Sequence, residues 1–154
     1  MFSGSSFSVS TPASHTHTSV QIEPVSQEVV LRVMACKDAH IALMTTSRVA
    51  DQPLDPYYEI VLGGYNNQKS DIRKPGNGGL MAQVETPDIL NEFEYRTFWI
   101  SWKDGVVKFG QGSIVGELEL LRYEDPAPLD VSLVSLSTWE RCPGMWKLKQ
   151  VKGK

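Results

Sequence analysis

Most of the features that announce a site are scarce or missing in this sequence. Its 154 residues hold two cysteines, Cys36 and Cys142, and three histidines. A structural zinc site needs four clustered ligands and no CxxC pair is present, so no metal is expected. The two cysteines are either buried thiols or one long-range disulfide. Asn66, Asn67, Asn77 and Asn91 all lack a Ser or Thr two places on. Without an N-glycosylation sequon, synthesis in the cytosol is the simpler expectation. No apolar stretch approaches the roughly 20 residues of a spanning helix. The start, "MFSGSSFSVS", has neither the basic nor the apolar part of a signal peptide. These absences predict a soluble chain with no membrane insertion, cytoplasmic or released by a non-classical route, with an extracellular role left open. The net charge of −3 and the lack of long like-charge runs exclude the electrostatic footprint of a nucleic-acid binder.

What is there is mostly short extended segments. Half of residues 1–20 are Ser or Thr, with His15 and His17 between them, which predicts a flexible arm ahead of a single domain over 21–154. Two imidazoles on such an arm are too few ligands to hold a metal. From residue 28 the pattern becomes alternating or short apolar runs between turn residues: "EVVLRVMA", "AHIALMTT", "YYEIVLG", "KSDIR", "LMAQVE", "RTFWISW", "GVVKFG", "GELELL", "VSLVSLS" and "MWKLKQV". Roughly ten short strands at this spacing predict an all-β fold, an antiparallel, jelly-roll-like β-sandwich. Asp104-Gly105 suits a tight hairpin turn. The one candidate helix is "PDILNEFEY". In "RTFWISW", Phe98, Ile100 and Trp102 share a face and are expected in the core, leaving Trp99 to face outward.

The stretch "EIVLGGYNNQKSDIR" raises the question of a cofactor. Nucleotide and methyl-donor sites set a glycine turn between a strand and a helix N-terminus. Gly63-Gly64 follows a strand, but the residues after it are polar, lack helical periodicity and run into Pro75. No cofactor is expected there. Nor is a catalytic residue: no G-x-S-x-G elbow is present, and His40 and Cys36, four apart, would lie about 13 Å from each other on a strand.

Several of these segments, "KDAHIAL", "YEIVLGGYNNQKSDIR", "DILNEFEYRTFWISWKDGVVKFG" and "GMWKL", resemble the farnesoic acid O-methyltransferase-like domain of arthropods and other invertebrates, over about residues 28–150. The resemblance implies an S-adenosylmethionine-dependent O-methyltransferase acting on a terpenoid acid. It also implies a lectin-like setting, because many members carry further repeats similar to mannose-binding lectin modules. Tyr65 stands where the family commonly has Trp, and "STWERCPGMW" replaces a more glycine-rich segment.

Two polar loops have the mixture that sugar recognition needs, an aromatic face beside directional hydrogen-bonding groups. One holds Tyr65, Asn66, Asn67 and Lys69; the other holds Trp139, Glu140 and Arg141. Asp71 and Arg73 share a strand face, and Glu59 can pair with Arg73 across neighbouring strands. His40, in an alternating strand, completes the candidate ligand-binding set. The expectation is a non-catalytic, lectin-like module that binds glycans, galactose-type sugars among them, and assembles as a homo-oligomer. The rivals are the methyltransferase and a protein-interaction module built on an exposed aromatic strand face.

Overall fold

The computed structural model describes residues 6–12, 26–45, 56–75, 79–138 and 142–149. Among them are eleven strands, β1 (Ser6–Thr11), β2 (Glu28–Met34), β3 (Ala39–Met44), β4 (Tyr57–Gly63), β5 (Lys69–Lys74), β6 (Gly79–Glu85), β7 (Arg96–Ser101), β8 (Val106–Gln111), β9 (Glu119–Glu124), β10 (Leu133–Thr138) and β11 (Gly144–Lys149). They form two antiparallel sheets, six-stranded in the order β1-β11-β2-β7-β8-β9 and five-stranded in the order β10-β3-β4-β5-β6. The expected antiparallel sandwich is what the chain builds.

The alternation of each strand decides what lies between the sheets. Val29, Leu31 and Val33 of β2, Phe98 and Ile100 of β7, and Trp146 and Leu148 of β11 meet Ile41 and Leu43 of β3, Tyr58, Ile60 and Leu62 of β4, and Val134 and Leu136 of β10. Each such side chain contributes about 1.5–3 kcal/mol on leaving water. Trp102 joins this core, as its spacing from Phe98 requires. The hairpin between β7 and β8 turns at Asp104 and Gly105, both at positive φ.

Four local expectations are corrected. Ser6–Thr11, inside the supposed flexible arm, is an edge strand paired with β11. Its last residue is anchored by a buried hydroxyl cluster in which Trp146 Nε1 donates to Thr11 Oγ1 and the Thr11 and Thr138 hydroxyls lie 2.7 Å apart. Trp99 does point away from the core, yet it is fully buried. Its indole packs on Gly110 so closely that a β-carbon there would lie 2.6 Å from the ring, and its Nε1 donates to Glu117 O. The segment "PDILNEFEY" is irregular rather than helical. Its backbone groups are taken elsewhere: Asp88 N donates to Asn67 O, Ala35 N to Asn91 O, and Phe93 N to the Asn91 side chain. The strand read in "GELELL" begins only at Glu119, because Gly116 and Leu118 hold positive φ in the turn before it.

One polar cluster is locked inside the sandwich. Lys74 and Asp125 are both buried and form a 2.6 Å ion pair, while the Tyr58 hydroxyl donates to the same Asp125 oxygen and accepts from Leu129 N. Lys74 Nζ also donates to Ala127 O. These bonds fasten the segment after β9 to the five-stranded sheet. Burial raises the Tyr58 phenol well above its ordinary range, and the bond to Asp125 adds to that rise. Cys36 and Cys142, 106 residues apart with Cα atoms 5.9 Å from each other, are joined as a disulfide, so the second of the two alternatives holds.

Candidate functional site

Side chains of β3 to β6 that turn away from the core carry an unusual load of charge for so buried a surface. His40 and Ala42 of β3, Glu59 and Val61 of β4, Asp71 and Arg73 of β5 and Gln83 of β6 share this face, because successive strands pair in register: His40 with Val61, Glu59 with Arg73, Asp71 with Gln83. His40, Glu59 and Asp71 are buried, Arg73 is partly open and Gln83 is exposed.

The side chains form one chain of contacts across four strands. His40 Nδ1 lies 3.2 Å from Glu59 Oε1, and Arg73 Nη1 lies 4.0 Å from the same oxygen. Arg73 donates from Nη2 (2.8 Å) and Nε (3.2 Å) to Asp71 Oδ2, and Gln83 Nε2 donates to Asp71 Oδ1 at 2.9 Å. Burial lowers the Arg73 pKa, but the bonds to Asp71 and the charges of Asp71 and Glu59 outweigh it and the net movement is upward. The guanidinium is therefore permanently charged and held in one orientation.

Beside it, the tandem glycines begin a short left-handed turn over Gly64–Asn67. Gly63 has φ 66°, and Tyr65, Asn66 and Asn67 have φ between 54° and 66°. Only glycine fits at 63, since a β-carbon there would sit 2.6 Å from Asn67 Oδ1 and 2.8 Å from Leu90 Cδ1. Three consecutive non-glycine residues in this region store strain. The turn persists because it is tied on both sides. Asn67 donates through Nδ2 to Leu90 O and accepts from Leu90 N, Asp38 N donates to Gly63 O, and Gly63 N donates to Ser70 Oγ.

The outcome is an aromatic ring presented to solvent. Tyr65 is 53% exposed, Lys69 Nζ lies 5.5 Å from its ring centroid, and Asn66 is exposed next to it. Of the residues nominated from the sequence, His40, Glu59, Lys69 and Arg73 lie on one sheet face, and Tyr65, Asn66 and Asn67 lie in the turn at its end. Asn67 commits both ends of its amide to Leu90. Trp139, Glu140 and Arg141 lie outside the described residues. Gln83 was not nominated: a single Gln in "LMAQVE" carries no signal until β6 is paired with β5. Among the described residues no group of His, Cys, Asp and Glu is arranged to hold a metal ion.

The glycine turn leads directly into strand β5. Gly63-Gly64 therefore does not open a right-handed helix whose N-terminal amides would cradle a methyl donor.

Comparisons with known proteins agree with the architecture. A BTB/POZ domain-containing protein of Arabidopsis thaliana is 28% identical over 91 residues, 58% of this chain, and the match spans only 11% of that protein. Among solved structures, a β-1,3-1,4-glucanase (lichenase) from a mouse hindgut metagenome superposes with a TM-score of 0.56 at 12% identity, covering 94% of this chain and 78% of the other. Caenorhabditis elegans galectin LEC-6 superposes with a TM-score of 0.54 at 11% identity, covering 92% and 94%. At such identities the likeness is one of fold alone, an antiparallel β-sandwich. The family described as farnesoic acid O-methyltransferase matches residues 9–152, nearly the whole chain, and to that family this protein belongs.

Proposed function

We propose that this protein is a non-catalytic carbohydrate-binding module that takes a glycan at the turn end of the five-stranded sheet. One observation carries the reading: the exposed Tyr65 ring, with Lys69 Nζ 5.5 Å from its centroid, stands in the turn at the end of the sheet face on which Arg73, Glu59 and Gln83 carry donors and acceptors. A pyranose has an apolar C–H face that rests on such a ring, and its hydroxyls need partners held in set directions. Galactose-type sugars suit the arrangement, since their apolar patch is continuous on one side. The galectin-like fold is consistent with this use, though the fold alone assigns no ligand. A single open site of this kind binds weakly, and linked copies compensate, so the working form is a homo-oligomer. The Cys36–Cys142 bond supports a role in an oxidising space outside the cytosol.

A glycan array followed by calorimetry tests the proposal. The expected result is selective binding to a subset of glycans, lost in Tyr65→Ala with the fold intact. A blank array, or unchanged affinity in Tyr65→Ala, would overturn the reading. Trp139→Ala tests the second nominated loop in the same assay.

The family description favours a second reading, methyl transfer to a terpenoid acid. Here S-adenosylmethionine should raise the melting temperature and turn over with farnesoic acid, and a flat thermal response would remove it. The interaction-module reading loses its main support, because Trp99 is covered.

A further inference from the structure

The glycine turn borders a second concave surface. Asn67, two residues after Tyr65, lines a cleft of about 200 Å³ together with Cys36, Leu90, Asn91, Glu92 and Phe93. Cα atoms two residues apart are at most about 7.6 Å from each other, so the cleft starts close beside the Tyr65 backbone. Its walls are fixed. Cys36 is bonded to Cys142, Asn67 holds Leu90 through both ends of its amide, and Ala35 N donates to Asn91 O. Ile89 and Leu90 are buried and anchor the segment in the core.

On this pinned frame Phe93 is 85% exposed, more than any other large hydrophobic side chain among the described residues. Its backbone N–H is held by Asn91 Oδ1 at 2.7 Å. A lone apolar side chain at the surface means little, but this one stands at a cleft with unused polar groups. Among the described residues the exposed Glu92 carboxylate makes no hydrogen bond or ion pair, and Asn91 Nδ2 makes no hydrogen bond. The volume falls below the roughly 300–1,000 Å³ of a pocket that encloses a whole small ligand, which makes it the size of a subsite.

We infer that this cleft is a second saccharide subsite and that the protein recognises extended, linked glycans over single sugars. The inference rests on the carbohydrate reading above and adds the ligand class, an oligosaccharide. One ring rests at Tyr65, and a further ring of the same chain lays its apolar face on Phe93. Its hydroxyls donate to the Glu92 carboxylate and accept from Asn91 Nδ2. Asn67 contributes shape alone, since its amide is committed to Leu90. The second ring adds contacts to a molecule already held, so affinity rises with chain length.

The test measures calorimetric affinity for methyl galactoside and for β-1,4-linked galacto-oligosaccharides of two to four residues. Every hit on a glycan array is likewise compared with its own terminal monosaccharide. The longest chains are expected to bind at least roughly tenfold more tightly than the single sugar. Phe93→Ala, which removes a ring with little packing and so keeps the fold, should bring the tetrasaccharide down to the affinity of the monosaccharide. Glu92→Ala should reduce the gain with length severalfold, and Tyr65→Ala should weaken every length. Equal affinity at all lengths, or an undiminished gain in Phe93→Ala, would overturn the second subsite while leaving the carbohydrate reading in place. No binding at any length, with a blank array, would overturn both.

Discussion

Arg73 and Asp71, two residues apart on one strand, meet on a single carboxylate oxygen, with Nη2 at 2.8 Å and Nε at 3.2 Å. Because Asp71 is fully buried, the pair acts as a fixed mount: the guanidinium has lost its rotational freedom before any ligand arrives.

Replacing Tyr65 by glycine should separate binding from stability. The ring is exposed and φ is 54°, so the fold loses little packing and sheds strain. The expected outcome is a gain of about 0.5–1 kcal/mol in urea unfolding, together with a loss of roughly tenfold or more in glycan affinity. A destabilised Tyr65→Gly would show that the ring is structural.

Breaking the buried ion pair should be costly. Lys74→Met leaves the Asp125 carboxylate inside the sandwich without its cation, and a loss of about 3–5 kcal/mol is expected in equilibrium unfolding. Lys74→Met combined with Asp125→Leu should recover most of that loss, since both desolvated charges are then absent. A double variant no better than the single one would place the cost in Tyr58 and the segment it holds.

The same carboxylate sets an acid limb. Burial pushes the Asp125 pKa up, but the hydrogen bonds from Lys74, Tyr58 and Ala127 N more than offset this, and the net displacement is downward. A carboxyl whose folded pKa is depressed stabilises the fold above its unfolded pKa and loses that contribution as pH falls through the folded value. Thermal stability should therefore hold steady near neutrality and decline below about pH 4. Asp125→Asn should be less stable at neutral pH and show a shallower decline; an unchanged acid limb would assign it to other carboxyls.

The disulfide closes a loop of 106 residues. Restricting so long a loop in the unfolded chain corresponds to about 4–5 kcal/mol in the chain-entropy model. Reduction, or the paired change Cys36→Ser with Cys142→Ser, should lower the urea midpoint accordingly. No shift between oxidised and reduced protein would mean that the bond adds nothing beyond the packing of Cys142.

Much of the fold was legible from alternation. Val29, Leu31 and Val33 had to share a face, and so did Phe98, Ile100 and Trp102, because successive side chains of a strand point to opposite sides. The pairing of Glu59 with Arg73 was readable in the same way. The fate of Trp99 was not: period two says that it leaves the core, and nothing local says that the loop before β9 folds over it. Residues 87–95 failed for a related reason. Their helical propensity is local, but the backbone partners that replace helical bonds come from Asn67 and Ala35, distant in sequence.

By itself the sequence determined the strand content, the faces of most strands and the polar character of the glycine turn, since periodicity and turn chemistry act over a few neighbouring residues. Tertiary structure alone decided that Gln83 would buttress Asp71, that Ser6–Thr11 would close a sheet edge and that Cys36 would find Cys142. Those outcomes depend on which strands become neighbours, and strand order is settled by the packing of the whole sandwich.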